Sequence, residues 1–351
     1  MLKTSLTVAA ALAVCAPALP AFAADYTIRA VANSNEDDED FDGLQVFKSH
    51  VEAASNGAIA VEIYMGTQLC SNGAECLQGV ADGSIDVYIS TTDGAAGLFP
   101  YFQVLDLPYL MADDRVAERV LSGDFTRTLR DKALADSGDT LRLMTIGNTG
   151  GWRGFANTKR RIQAPEDVAG LKMRTVVADL PQELVRAMGA SPTPIPWPEL
   201  FTSLQTNVVE GTANGITDIM SMKFPEAGLR YLTLDGHAYM SAFWWMSNDT
   251  FMAMPEDMRQ IVVDGFYQLQ QATFASPKRK SIEAYEAFVA GGGDLYVPSV
   301  EEKAAFGEAA APVYDWFTSS VDGGEEILAT FREAVAQAET ELAEERARDI
   351  Q

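Results

Sequence analysis

Histidine is nearly missing from this 351-residue chain: His50 and His237 are the only two, far apart in sequence. That leaves little material for imidazole acid–base catalysis or for a histidine-rich metal site. Catalytic signatures are missing too. There is no G-x-S-x-G, no P-loop, no H-E-x-x-H and no G-x-G-x-x-G after a strand. Basic residues are outnumbered, with 26 Lys and Arg against 50 Asp and Glu and a formal charge of −24. A field of that sign repels nucleic acid and anionic lipid. Salt screens it beyond about 8–10 Å, so an anion can still bind where a few arginines dominate locally. No segment beyond the N-terminus reaches 18 consecutive apolar residues, which argues against membrane insertion of the mature chain.

The first residues carry a targeting pattern. Lys3 is followed by an apolar run from Leu6 to Val14, a turn-prone Pro17 to Pro20 and an Ala-Phe-Ala ending at Ala23. This predicts a secretory signal peptide over residues 1–23, cleaved after Ala23. Leu12-Ala13-Val14-Cys15 faintly resembles a lipoprotein box, but Val14 is bulkier than the residue expected there. Loss of Lys3 would move the formal charge from −24 to −25. Residues 24–351 suffice for two packed domains. Cys70 and Cys76 remain, in LCSNGAEC. In an oxidising compartment so close a pair reads as a disulfide, with roughly 2–2.5 kcal/mol from closing the short loop. A metal site is the rival reading, and the shortage of histidine weakens it.

Strands and helices alternate through the N-terminal half. Strands are predicted at 26–33, 58–65 and 85–90. A helix over 41–55 ends at Asn56-Gly57, with Asp40 as its cap, and a short helix lies near Ala74 to Ala81. This order implies βαβ units and a mostly parallel sheet. A second series follows. It has a strand at 141–148, a change of direction at Gly150-Gly151, and an extended stretch at 152–157. A strand at 171–177, a helix from about Leu180 to Met188 and a strand at 192–195 come next. The series ends with a helix over 197–211, Leu200, Phe201, Leu204 and Val208 on one face, and a short strand or turn at 212–216. From Pro255 the pattern is helical in two successive stretches, and the last turns of the charged, Ala-rich C-terminal helix are polar all round, so its end should fray.

Few residues carry a chemical signal. Arg174 sits in the apolar strand of GLKMRT and needs an anionic partner if buried. That partner is either a structural carboxylate or a ligand carboxylate, which the planar guanidinium fork would clamp. Arg153 in GGWRGF is either an ordinary surface arginine or a second clamp, with Trp152 walling a cleft. The acidic run EDDED at 36–40 reads first as a solvated loop and helix cap. One of its acids could instead accept from a ligand hydroxyl or ammonium, and Asp40 is the candidate. Tyr239, Trp244 and Trp245 form an aromatic cluster, core by default and pocket wall otherwise.

Three segments in order suggest a family: GLKMRT, PTPIPWPELFTSLQTNVVEGTANG and MKFPEAGLRYLTLDGH, preceded by DGSIDVYIS and VLDLPYLM. The chain resembles, over nearly all of its mature length, the solute-binding proteins of TRAP transporters, the DctP-like family. The resemblance implies an α/β, two-lobed periplasmic binding protein fold. Its ligand cleft lies between two α/β domains joined by crossing strands and a long helix. The expected lobes are residues 24–150 plus about 238–278, and 151–237 plus about 279–351. It implies that Arg174 makes the principal salt bridge to a ligand carboxylate, that Arg153 joins it, and that Asn214 bonds the same group. Trp197, Trp152, Tyr239, Trp244 and Asp40 are further candidate lining residues. The expected partners are a small organic acid (a carboxylate, with a sulfonate, hydroxylated or zwitterionic acid also admissible) and TRAP membrane permease subunits. No nucleic acid, no cofactor, no metal and no catalysis are expected. The alternatives are the same fold serving a sensor or an ABC permease, or a secreted enzyme acting on a carboxylate.

Overall fold

The computed structural model describes residues 24–351, so the expected signal peptide lies outside the described residues. Nine strands form one sheet: β1 Tyr26–Ala32, β2 Ile59–Met65, β3 Val87–Ser90, β4 Leu141–Asn157, β5 Lys172–Thr175, β6 Ser191–Pro194, β7 Gly211–Asn214, β8 Tyr231–Ser247 and β9 Asp294–Tyr296. Their order is β2-β1-β3-β8-β4-β7-β5-β6, with β9 paired to β8. β1 runs parallel to β2 and β3, and β5 parallel to β6 and β7. These are the two βαβ halves that the alternating pattern predicts.

β4 and β8 make the frame. Each is 17 residues long, about three times an ordinary strand, and they pair antiparallel along most of their length. The late part of β8 pairs β3 in the first lobe, while its start pairs β9 in the second. The late part of β4 pairs β7. Both strands thus cross from one lobe to the other. Gly150 and Gly151 do not reverse the chain as expected. Both have positive φ, +86° and +82°, and they form a bulge between Asn148 and Trp152 inside a continuing strand.

The Glu256–Ala290 helix is the third crossing element. It is continuous for 35 residues through Pro277, about 52 Å at 1.5 Å per residue, rather than two helices. Val262, Phe266 and Leu269 bury in the first lobe with Phe47 and Leu44. Ala284 and Phe288 bury in the second with Leu200, Leu204 and Leu232. The aromatic cluster on β8 splits by strand alternation. Trp244 faces one core layer and Trp245 the other, where it stacks on Phe99 with ring centres 5.4 Å apart.

Three further expectations change. The first helix begins at Glu39 and is capped by Asp38, whose carboxylate accepts from the Asp40 backbone N–H at 3.0 Å, so Asp40 is not the cap. The helix expected over 197–211 is a 3-10 turn at Trp197–Glu199 and a helix at Leu200–Gln205. Asn207 at φ +58° ends it, leaving Val208 exposed and burying Val209 instead. The C-terminal helix runs over Gly324–Asp349. It packs on helix Asp114–Leu121 of the first lobe, not within the second, through Arg119 to Glu341 and Glu345 (2.8 Å each).

Candidate functional site

A cleft with about 620 Å³ of empty space opens between the lobes. The second lobe supplies Arg174 from β5, Asn214 from β7 and Trp197 from the 3-10 turn, and Arg153 enters from β4. Asp38 and Asp40 at the start of the first helix and Asp93 after β3 line the same cavity from the first lobe, and Asp218 on the short Ile216–Ser221 helix lines it beside Asn214.

Arg174 is only 2% exposed. Its Nε donates to the Ile195 carbonyl at 2.9 Å, and Nη2 has no hydrogen-bond partner. The guanidinium lies over the Trp197 ring at 5.6 Å. Among the described residues no carboxylate forms an ion pair with it; Asp93 and Asp218 act on it only from a distance. Burial pulls its pKa down to about 10, Asp93 opposes that, and Arg153 adds like-charge repulsion. It remains cationic at neutral pH. Arg153 is also buried. Its Nη1 donates to the Ala213 carbonyl at 2.9 Å, its Nε lies 4.0 Å from Asp106, and that Nε makes no hydrogen bond. Two desolvated guanidinium groups therefore face one cavity with donors in hand, an arrangement that disfavours an empty site and favours an anion.

Asn214 is placed beside them but is occupied within the chain. Its Nδ2 donates to Asp218 at 2.9 Å, and its Oδ1 accepts from the Thr212 hydroxyl at 2.7 Å. Three expected lining residues lie elsewhere. Trp152 borders a different surface pocket, donates its indole N–H to Asp114 at 2.7 Å, and packs edge-on to Tyr239. Tyr239 and Trp244 are core residues, 1% and 0% exposed. Trp152 and Tyr239 alternate with Arg153 and Met240, which take the cleft side of β4 and β8, while Trp244, on the same strand face as Met240, lies further along β8 in the first-lobe core with Leu269.

The acids that line the cleft are more than the sequence pointed to. Oxygens of Asp38, Glu39 and Asp218 all lie within 4.8 Å of one another. Burial first, and then the negative charge of Glu39, pushes Asp40 up to about 7 and Asp218 up to about 8. Asp38 is raised well above the usual carboxylate range by burial and by Asp40 and Glu39. Glu39 is raised by burial, although Oε1 accepts from the Thr217 hydroxyl at 2.5 Å and the Gly150 N–H at 3.1 Å. Asp93 is raised by burial, with Arg174 opposing. Asp218 and Asp93 were missed in the sequence. The available signal was an acid inside the otherwise apolar GITDIM, four residues after Asn214, and one following the β3 strand in STTDG.

His237, the histidine near the cleft, is held by Asp235 at 2.7 Å and stacks on Phe155. The Tyr109 hydroxyl donates to the same Asp235 oxygen at 2.9 Å.

Comparisons with known proteins agree with this architecture. Residues 31–320 match the family described as bacterial extracellular solute-binding protein, family 7 (DctP). The 2,3-diketo-L-gulonate-binding periplasmic protein YiaO of Escherichia coli K12 is 24% identical over 308 residues, 87% of this chain and 91% of that protein. Among solved structures, the sugar acid binding protein DctPAm of Advenella mimigardefordensis, in complex with galactonate, superposes with a TM-score of 0.83. It is 25% identical, over 89% of this chain and 98% of that one. A TRAP periplasmic solute binding protein of Desulfovibrio salexigens with bound orotic acid has a TM-score of 0.83 at 24% identity, over 89% and 99%. The chain belongs to the DctP family of TRAP transporter solute-binding proteins, a family of periplasmic transport proteins rather than enzymes.

Proposed function

We propose that this protein captures a small organic acid in the interlobe cleft and delivers it to a TRAP membrane permease. The carrying observation is Arg174, buried to 2% exposure, with a free Nη2 and, among the described residues, no carboxylate paired to it. A ligand carboxylate would take that donor, with Arg153 from the neighbouring strand as the second cation. Asn214 would add an amide donor by sharing the bond it now makes to Asp218. Three of the similar proteins bind acids: diketogulonate, galactonate and orotic acid.

Capture works by closure. The crossing β4, β8 and Glu256–Ala290 helix are the elements about which the lobes would bend, and pairing to Arg174 favours the closed state by its differential affinity. Closure excludes water and strengthens the pairing. The lobe division at about residues 150/151, 237/238 and 278/279, with the Gly324–Asp349 helix returning to pack on the first lobe, secretion with cleavage after Ala23, and docking of the closed form on the permease belong to this reading. No ligand bond is broken. The direct test is calorimetry with a panel of organic acids on wild type and Arg174→Ala. Acid binding by wild type that the variant loses supports it; binding of uncharged ligands alone contradicts it.

A further inference from the structure

The two arginines do not account for the cleft. Asp38, Asp40, Asp93 and Asp218 line the same cavity, and Glu39 lies within 4.8 Å of two of them through its carboxylate. A simple carboxylate would satisfy Arg174 and Arg153 while adding negative charge beside these acids. The acidic side also has an open valence. Asp40 is 5% exposed and lines the cavity; its Oδ2 accepts from Ser34 at 3.2 Å, the Thr149 hydroxyl is its other polar neighbour, and among the described residues its Oδ1 makes no hydrogen bond of good geometry. In the same cavity the free Nη2 of Arg174 marks where an anion belongs. The unpartnered atoms thus ask for a ligand that carries both an acceptor and a donor.

Resting on the carboxylate reading above, we propose that the ligand is a small zwitterion, its carboxylate on Arg174 and Arg153 and a protonated amine on Asp40 and Asp218. An ammonium supplies N–H donors and the positive charge that these acids lack. A hydroxyl would supply the donor but not the charge. A divalent cation would compensate the charge, but Glu39, one of the three acids close enough to hold it, already accepts from Thr217 and Gly150 and does not line the cavity.

The experiment is calorimetric titration of the mature protein with matched pairs that differ only in amine against hydroxyl: alanine and lactate, serine and glycerate, aspartate and malate, glutamate and 2-hydroxyglutarate. Galactonate is added as a sugar acid, and Ca²⁺ alone and EDTA are controls. Wild type, Asp218→Asn and Asp40→Asn are compared, each checked for a cooperative melt. The proposal predicts at least one amino acid bound about tenfold or more tightly than its hydroxy partner, the worth of one charge-assisted hydrogen bond. Both variants should remove that preference. The binding heat should vary with the ionisation enthalpy of the buffer, because an arriving ammonium displaces protons held among Asp38, Glu39, Asp40 and Asp218. A panel in which only hydroxy or sugar acids bind, or in which no amino acid does, overturns it. So does acid binding that requires Ca²⁺ and is abolished by EDTA. Binding of hydroxy acids that Arg174→Ala abolishes would sink the zwitterion while leaving the carboxylate reading intact.

Discussion

The Arg174 guanidinium lies 5.6 Å from the centre of the Trp197 ring, and its Nη2 is left without a hydrogen-bond partner. The indole therefore fixes the plane of the guanidinium without using its donors. A cation–π contact of this kind contributes about 0.5–2 kcal/mol, more when desolvated. Trp197→Ala should weaken acid binding about 3- to 30-fold with little change in melting temperature. Titration calorimetry reads the first and a thermal melt the second. Since Trp197 is half-buried at the cleft, ligand should also change the fluorescence of wild type more than that of the variant.

The acids facing the arginines make stability depend on pH with a definite sign. Asp218 is raised from an ordinary 3.8 to about 8 in the folded protein. The folded state then holds the proton more tightly than the unfolded one. Its contribution is full below about pH 4 and is lost as the pH rises through about 8. Asp40, raised to about 7, acts in the same direction. Other groups that bear on this site are Asp38, Glu39, Asp93, Arg153 and Lys280. In the ligand-free protein Asp218→Asn should raise the melting temperature near pH 8 and change it little near pH 4. A variant less stable than wild type at pH 8, with equal stability at pH 4, would reverse the sign.

Cys70 and Cys76 are bonded, with Cα atoms 5.2 Å apart and six residues of separation. Gly73, inside the bridged segment, lines the cleft. Replacing both cysteines by serine should cost about 2 kcal/mol, from the chain entropy of so short a loop. Denaturant unfolding of oxidised wild type and the double variant measures it. A loss near zero would mean that the loop is held by its other contacts, among them the Asn72 cap on Glu75.

Gly215 has no room for a side chain. A Cβ there would lie 1.6 Å from the Gly150 carbonyl oxygen, backbone against backbone. The bulge of β4 and the start of the Asp218 helix are locked together at this crossing, and Gly150 also donates to Glu39. Gly215→Ala should destabilise by about 4 kcal/mol or more, at the extreme of single substitutions, or prevent soluble folding. A variant with near-normal stability would show that this crossing can open without cost.

Short elements with strong local signals were legible. β1, β2 and the Glu39–Ala54 helix follow from period, with Asn56 and Gly57 at positive φ just past the helix end, and GLKMRT placed Arg174 on a strand, whereas its place at the cleft came from the family resemblance. What the sequence hid was long-range. β4 reads as two pieces because Gly150-Gly151 looks like a turn, and only pairing with β8 shows a bulge in one strand. β8 is apolar on both faces, so HAYMSAFWWMS has no alternation to mark it or to separate Trp244 from the cleft. Asp218 and Asp93 come from segments distant from Asp38 and Asp40, and their convergence depends on lobe packing that no local pattern carries.

Titration of wild type, Arg174→Lys and Arg174→Ala with one acid that wild type binds is the most direct measurement of the central claim. The account predicts that Ala loses about 100-fold or more, the cost of leaving a desolvated carboxylate without its charged partner. Lys should recover only part of that loss, because an ammonium keeps the charge but not the guanidinium fork. All three proteins binding the acid within about threefold of one another would contradict the account, because the free Nη2 of Arg174 would then have no ligand to hold.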